Sequence, residues 1–82
     1  KNSLVADGCI IDGQVENCII FKGVKVEKGA VVKNSILMQD TVIGENAKVN
    51  CVIADKNVSI KSSAELSGAN TFPVCLAKNT RV

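Results

Sequence analysis

The sequence predicts an all-β fold, a parallel β-helix wound from hexapeptide-type repeats in about four coils with a C-terminal cap, and three observations predict it. Apolar residues recur at a spacing of about six, as in Val26, Val32 and Leu37, then Ile43, Val49 and Ile53, whereas an amphipathic helix needs three or four. The whole pattern then repeats after seventeen residues, giving the rows Val26, Ile43, Ile60 and Val24, Thr41, Val58; a fixed period of this kind marks a solenoid. Finally, each short run is closed by a residue that tolerates positive φ. Gly23, Asp40 and Asn57 form one such row, and Gly8, Gly29 and Asn46 a second; Gly, Asn and Asp carry the least penalty in that region, so these rows read as corners.

Three strands and three corners per coil make a triangular prism whose coils hydrogen-bond in parallel at about 4.8 Å. The chain reads as a single domain over residues 1–82. Residues 1–17 form an irregular first coil: Val5 to Val26, Cys9 to Ala30 and Ile11 to Val32 are 21 apart, a surplus of four placed at Asp12, Gly13, Gln14 and Val15. Asp-Gly there signals a turn, so a small outward excursion is expected. Residues 18–60 are the regular coils. Ala30 and Ala47, and a row of Cys18, Ser35 and Cys51, are small where a corner leaves little room. Asn17, Asn34 and Asn50 fall at nearly the same interval, and either stack as an amide ladder or supply turn conformations.

Residues 61–82 read as a capping tail. Ser62 to Asn70 is small and polar, and Phe72-Pro73 brings the only proline, which cannot hold a central ladder position. Val74, Leu76 and Val82 supply one last irregular coil, with Phe72 expected to cover the open end of the prism. Atypical terminal repeats are what a solenoid needs for its ends.

Composition bounds the function. Ten basic and eight acidic residues give a formal charge of +2, scattered rather than blocked, which argues against nucleic acid or an anionic membrane as partner. Apolar runs such as Cys18 to Phe21 are four residues, too short to span a bilayer or to serve as a signal peptide. Four cysteines, Cys9, Cys18, Cys51 and Cys75, form no CxxC pair, and there is no His. They read as reduced, buried, small hydrophobes rather than zinc ligands, which fits a cytoplasmic location. A chain that begins at Lys1 reads as a fragment or a processed product.

The segment Gly8-Cys-Ile-Ile-Asp-Gly-Gln-Val-Glu-Asn-Cys-Ile-Ile-Phe-Lys-Gly-Val-Lys-Val26 resembles the start of the C-terminal left-handed β-helix domain of bacterial glucose-1-phosphate adenylyltransferases, the ADP-glucose pyrophosphorylases. Lys33-Asn-Ser-Ile-Leu-Met-Gln-Asp-Thr-Val-Ile-Gly-Glu-Asn-Ala47 continues the likeness, as does the tail from Leu66 to Val82. The resemblance is closest to the GlgD-type regulatory subunits of glycogen biosynthesis. It implies a left-handed coil, an exception to the usual right-handed crossover. It also implies a parent joining this domain to an N-terminal nucleotidyltransferase domain that makes ADP-glucose and pyrophosphate from ATP and glucose 1-phosphate. That domain, with its Gly-rich loop and Mg²⁺-binding acids, is absent here, so no cofactor is expected on this chain.

No catalytic residue and no metal ligand stand out. Free-standing β-helix acyltransferases use a His base, and related carbonic anhydrases bind zinc through His; without His neither chemistry is expected from these residues. Glu27, Glu45, Asp40 and Asp55 fall on outward or corner positions and read as solvated charges that discourage lateral sheet pairing. Lys22 and Lys56 share a row that Gln39 interrupts. In related enzymes anionic effectors bind near the domain junction, and by location Lys78 and Arg81 are the candidates for such a role here. The expected partners are the parent's own N-terminal domain and sister subunits of a homo- or hetero-tetramer, in an assembly and regulatory role. The alternatives are the β-helix of another sugar-nucleotide pyrophosphorylase or of a hexapeptide acyltransferase.

Overall fold

A computed structural model describes residues 3–68 and 73–82, and it is a parallel β-solenoid with no helix among those residues. Among the described residues thirteen short strands fall on three faces. Face A carries β1 (Leu4–Val5), β4 (Ile19–Ile20), β7 (Ile36–Leu37), β10 (Val52–Ala54) and β13 (Val74–Leu76). Face B carries β2 (Ile10–Ile11), β5 (Lys25–Val26), β8 (Val42–Ile43) and β11 (Ser59–Ile60). Face C carries β3 (Gln14–Glu16), β6 (Val31–Lys33), β9 (Lys48–Asn50) and β12 (Glu65–Ser67). All pairings are parallel, so four coils stack one above another, and a fifth is begun by β13.

Alternation along each two- or three-residue strand sends one side chain inward, and the inward residues of successive coils lie in columns. Ile20, Leu37 and Ala54 fill the column behind face A, Val26, Ile43 and Ile60 that behind face B, and Val32 and Val49 that behind face C, each at most 2% exposed. Ala30 and Ala47 are fully buried at the corner between faces B and C, where only a methyl fits. Among the described residues the core is fifteen small and aliphatic buried residues, because each coil covers the next rather than a shared centre.

Corner geometry follows the side-chain chemistry. Gly23, Asp40 and Asn57 take φ of 76°, 62° and 59°, and Gly29 and Asn46 take 79° and 59°. Two features depart from the sequence expectation. Gly8 stacks beneath Gly23, whose backbone nitrogen is 3.9 Å from where a Gly8 side chain would begin, so it belongs with Asp40 and Asn57 rather than with Gly29. Ser63 (φ 61°) completes the Gly29 row and Asn79 (φ 66°) the Gly23 row.

The first coil is also wound differently from expectation. Val5 pairs with Ile20, Ile11 with Val26 and Val15 with Val32, so faces A and B step by 15 and only face C by 17. The expected four-residue surplus at Asp12 to Val15 is a two-residue shortage. Asp12 and Gly13 alone join β2 to β3, where the four residues Glu27 to Ala30 join β5 to β6. There is no outward excursion; the chain cuts the corner. Gly13 permits this, because a Cβ there would lie 2.5 Å from the Ala30 carbonyl oxygen and 2.7 Å from that of Glu27.

The seventeen-residue register runs farther than residues 18–60, from Gln14 on Val31 through Glu65 on Lys48 to Ser67 on Asn50. The tail therefore opens as a regular strand of face C. The break comes after Ser67: Val74 pairs with Val52 at an interval of 22, so five extra residues lie at that corner. Pro73 precedes β13 and takes no ladder position. Arg81 then bridges Ser59 on face B, and the Val82 amide donates to the Ser59 carbonyl at 2.9 Å, which begins the last irregular coil. The expected cover by Phe72 lies outside the described residues.

Candidate functional site

The row of asparagines does both things its sequence allowed. Asn17 and Asn34 sit at positive φ, 59° and 51°, and the Asn17 side-chain amide donates to Asn34 Oδ1 at 2.9 Å while Asn34 donates to Asn50 Oδ1 at 3.2 Å. In the third coil the positive φ passes to Cys51, at 55°. Cys51 is thus the corner itself, and Val52 rather than Cys51 follows Cys18 and Ser35 in their column. Ser35 Oγ accepts from the Val52 amide at 3.2 Å and donates to the Lys33 carbonyl at 2.7 Å. This polar array links successive coils along one edge of the prism.

The candidate carboxylates do not converge. Glu27 pairs with Lys25 at 3.4 Å, Asp55 accepts from the Lys56 amide at 2.6 Å, Asp40 packs its carboxylate over Gly23, and Glu45 is exposed. Among the described residues no three His, Cys, Asp or Glu side chains are grouped to hold a metal ion.

The cysteines occupy unlike places. Cys18 and Cys51 are buried, and burial raises the Cys18 thiol above its ordinary value of 9.0, opposed by hydrogen bonds with the Ser35 and Glu16 backbone. Cys9 is half-buried and donates to the Phe21 carbonyl at 3.1 Å. Cys75 is exposed, against the expectation of burial, because its place in β13 beside Ile53 points outward from face A.

Lys78 and Arg81 are both exposed at the C-terminal end. Lys78 precedes the positive-φ Asn79 exactly where Lys56 precedes Asn57 one coil below, and the Asn79 amide donates to the Lys56 carbonyl at 3.1 Å. Lys22, Gln39, Lys56 and Lys78 consequently share one edge, and Arg81 stands on the adjoining face B beside Ser59. Sequence spacing placed Lys22 and Lys56 in one row and named Lys78 only by its location near the C-terminus, because the 22-residue step in the last coil hides its place in that row from a period of 17.

The outward side of face A was not singled out by the sequence. Leu4, Ile19, Ile36 and Ile53 form one outward column, flanked by Ala6, Phe21 and Met38, without a charge until Asp55. Faces B and C carry Lys25, Glu27, Lys33, Lys48 and Glu65 instead. No helix among the described residues is long and apolar enough to cross a membrane.

Comparison with known proteins agrees with this geometry. Residues 1–71 match the family described as GlmU-like, C-terminal hexapeptide. The chain is 50% identical over 78 residues to the glycogen biosynthesis protein GlgD of Bacillus subtilis strain 168, covering 95% of this chain and 23% of that protein. It is 38% identical over 73 residues to the glucose-1-phosphate adenylyltransferase of Acetivibrio thermocellus, covering 89% of this chain and 17% of the relative. Over 43 residues it is 51% identical to the corresponding enzyme of Clostridium perfringens strain SM101, which is 52% of this chain and 11% of that one. The chain thus spans less than a quarter of the length of these relatives. No solved structure matches significantly. With a hexapeptide period, three parallel faces and a match over nearly its whole length, the chain belongs to the GlmU-like C-terminal hexapeptide family.

Proposed function

We propose that this chain is the C-terminal assembly and regulatory domain of a glucose-1-phosphate adenylyltransferase-type subunit in glycogen biosynthesis. The observation that carries the reading is the 50% identity to a GlgD protein across 95% of the chain. In this reading the parent is cytoplasmic, its coil is left-handed, and its N-terminal domain holds the nucleotide loop and Mg²⁺. That domain belongs to a family that converts ATP and glucose 1-phosphate to ADP-glucose and pyrophosphate. The β-helix packs on that domain and contacts sister subunits of a tetramer. Lys78 and Arg81, with Lys56 on the same edge, supply positive charge for an anionic effector.

The test is deletion of residues 1–82 from the intact subunit, followed by light scattering and effector titration. Loss of tetramer assembly and of effector response is expected; retention of both defeats the reading. Replacing Lys78 and Arg81 together by Ala should weaken activation by the anion, and unchanged activation would remove those two residues from the proposal.

A second reading, the β-helix of a catalytic subunit, is favoured by the 38% identity to a glucose-1-phosphate adenylyltransferase over 89% of the chain. The two readings separate on the parent's N-terminal domain. Turnover of ATP and glucose 1-phosphate by the purified parent supports the catalyst, and its absence supports the regulator.

A further inference from the structure

The charges on face B and its two edges alternate in sign from coil to coil. The first coil presents Asp7 and Asp12, the second Lys22, Lys25 and Lys28 with Glu27, the third Asp40 and Glu45, and the fourth Lys56 and Lys61. Each coil thus carries two net charges on this side, negative, positive, negative and positive in order. All these side chains are exposed except Glu27, which is half-buried and paired with Lys25 at 3.4 Å. Backbone pairing fixes the columns. The Asp12 amide donates to the Val26 carbonyl, that of Glu27 to Ile43 and that of Gly44 to Ile60, so Asp12, Glu27, Gly44 and Lys61 share one column. On one edge the Asn46 amide donates to the Lys28 carbonyl and the Ser63 amide to that of Glu45, which aligns Lys28 with Glu45. On the other, Gly8 beneath Gly23 sets Asp7 beneath Lys22, in the row that leads to Lys56.

We infer that face B is an interface for a second copy of this chain, docked antiparallel across a two-fold axis that runs along the strand direction. Such an axis inverts the coil order and keeps the columns, so the first coil faces the fourth and the second faces the third. Asp7 then meets Lys56 of the other copy, Asp12 meets Lys61 and Lys28 meets Glu45, each twice, as a self-complementary contact requires. The Lys25–Glu27 pair meets Val42 and Gly44, where the glycine leaves room, and no like charges oppose. Sliding the copies by one coil sets negative coils on negative and positive on positive, and a two-fold axis along the solenoid does the same. Charges that deter indiscriminate lateral pairing thereby select one register. Face C, by contrast, presents Glu16, Lys33, Lys48 and Glu65 in coil order, and the same inversion would set Glu16 on Glu65 and Lys33 on Lys48. The inference rests on the assembly role proposed above. Four coils make a face only about 19 Å tall, less than a stable interface of about 800 Å² per partner needs, so the contact acts within subunits that other parts of the chain hold at high effective concentration.

Carbodiimide cross-linking of the intact subunit, assembled from a mixture of ¹⁴N and ¹⁵N preparations and read by mass spectrometry, tests this. Within one copy Asp12 and Lys61 lie three coils apart, about 14 Å, too far for a direct amide, so an Asp12–Lys61 link joins two copies. Mixed-isotope Asp12–Lys61 peptides are expected, and their absence overturns the inference. Charge reversal supplies a second measurement. Asp12→Lys alone and Lys61→Asp alone, both at exposed positions, should each raise the concentration of half-dissociation several-fold, and the two together should return it to the wild-type value. The same distance keeps the two residues from compensating within one copy at physiological salt, so recovery reports contact between copies. A double variant no better than the single ones also overturns the inference. Deletion of residues 1–82 separates the two readings: assembly lost by deletion, with no Asp12–Lys61 link in the intact subunit, leaves the assembly role standing and sinks only face B, whereas unchanged assembly sinks both.

Discussion

Asn17 donates its side-chain amide to Asn34 Oδ1 at 2.9 Å across one coil, while both residues turn the chain at positive φ. One residue type therefore satisfies two demands, a left-handed corner and a bond between coils. In Asn34→Ala both are lost: a left-handed non-glycine residue costs about 1–2 kcal/mol, and the net worth of a hydrogen bond is about 1 kcal/mol. Asn34→Gly keeps the corner and loses only the ladder. Urea unfolding followed by circular dichroism should give a loss of about 2–3 kcal/mol for the first and about 1 kcal/mol for the second. Equal losses would mean that φ is not what the asparagine supplies.

Ser35 is buried at the next position, and its Oγ accepts the amide of Val52, itself 1% exposed. Ser35→Ala strands that amide away from water, a cost of roughly 1–3 kcal/mol. Ser35→Cys should cost less, since Cys18 occupies the equivalent place one coil earlier. The urea midpoints of the two variants check the order.

Two glycines should respond to alanine for different reasons. Gly44 has no positive φ, but a Cβ there would meet Ser62 N at 2.6 Å and Ile60 O at 2.8 Å, both backbone atoms of the next coil. Gly44→Ala should therefore push coils apart at a cost of about 1–3 kcal/mol. At Gly8 the nearest such atom is 3.9 Å away and only φ, at +77°, opposes a side chain, so Gly8→Ala should cost about 1–2 kcal/mol. Gly8→Asn should recover part of that loss, but Gly44→Asn should not; melting temperatures of the four variants decide.

Burial raises the Cys18 thiol above 9.0, which makes stability pH-dependent in one direction. Below 9.0 the thiol is protonated whether the chain is folded or not, and its contribution is complete. Above it the unfolded chain releases the proton first, so stability falls as pH climbs toward the raised folded value. Unfolding midpoints from pH 8 to 10 should decline more steeply for the wild type than for Cys18→Ala. Parallel declines would show that the thiol does not set the slope.

Much of the fold was legible because the period of 17 is written in side-chain size. Val24, Thr41 and Val58 are buried in one column, and Gly23, Asp40 and Asn57 all sit at positive φ, as their spacing requires. The first coil misled for a physical reason. The three faces present nearly equivalent apolar runs, and sliding the chain by one six-residue side leaves that pattern unchanged. Val5 to Val26 at 21 is the true step of 15 plus one side of the prism. Exposed lysines such as Lys78 carry no such periodic signal and are placed only by the strands around them.

The sequence by itself determined the coil: its apolar spacing, its corner residues and its lack of imidazole chemistry follow from local side-chain properties. The tertiary structure decided the register, because a two-residue shortage at Asp12-Gly13 and five extra residues after Ser67 are resolved only by which backbone groups pair. It also decided the sidedness. Leu4 lies 15 residues before Ile19 and joins Ile19 and Phe21 in one apolar surface only when the shorter first coil stacks it on the same face.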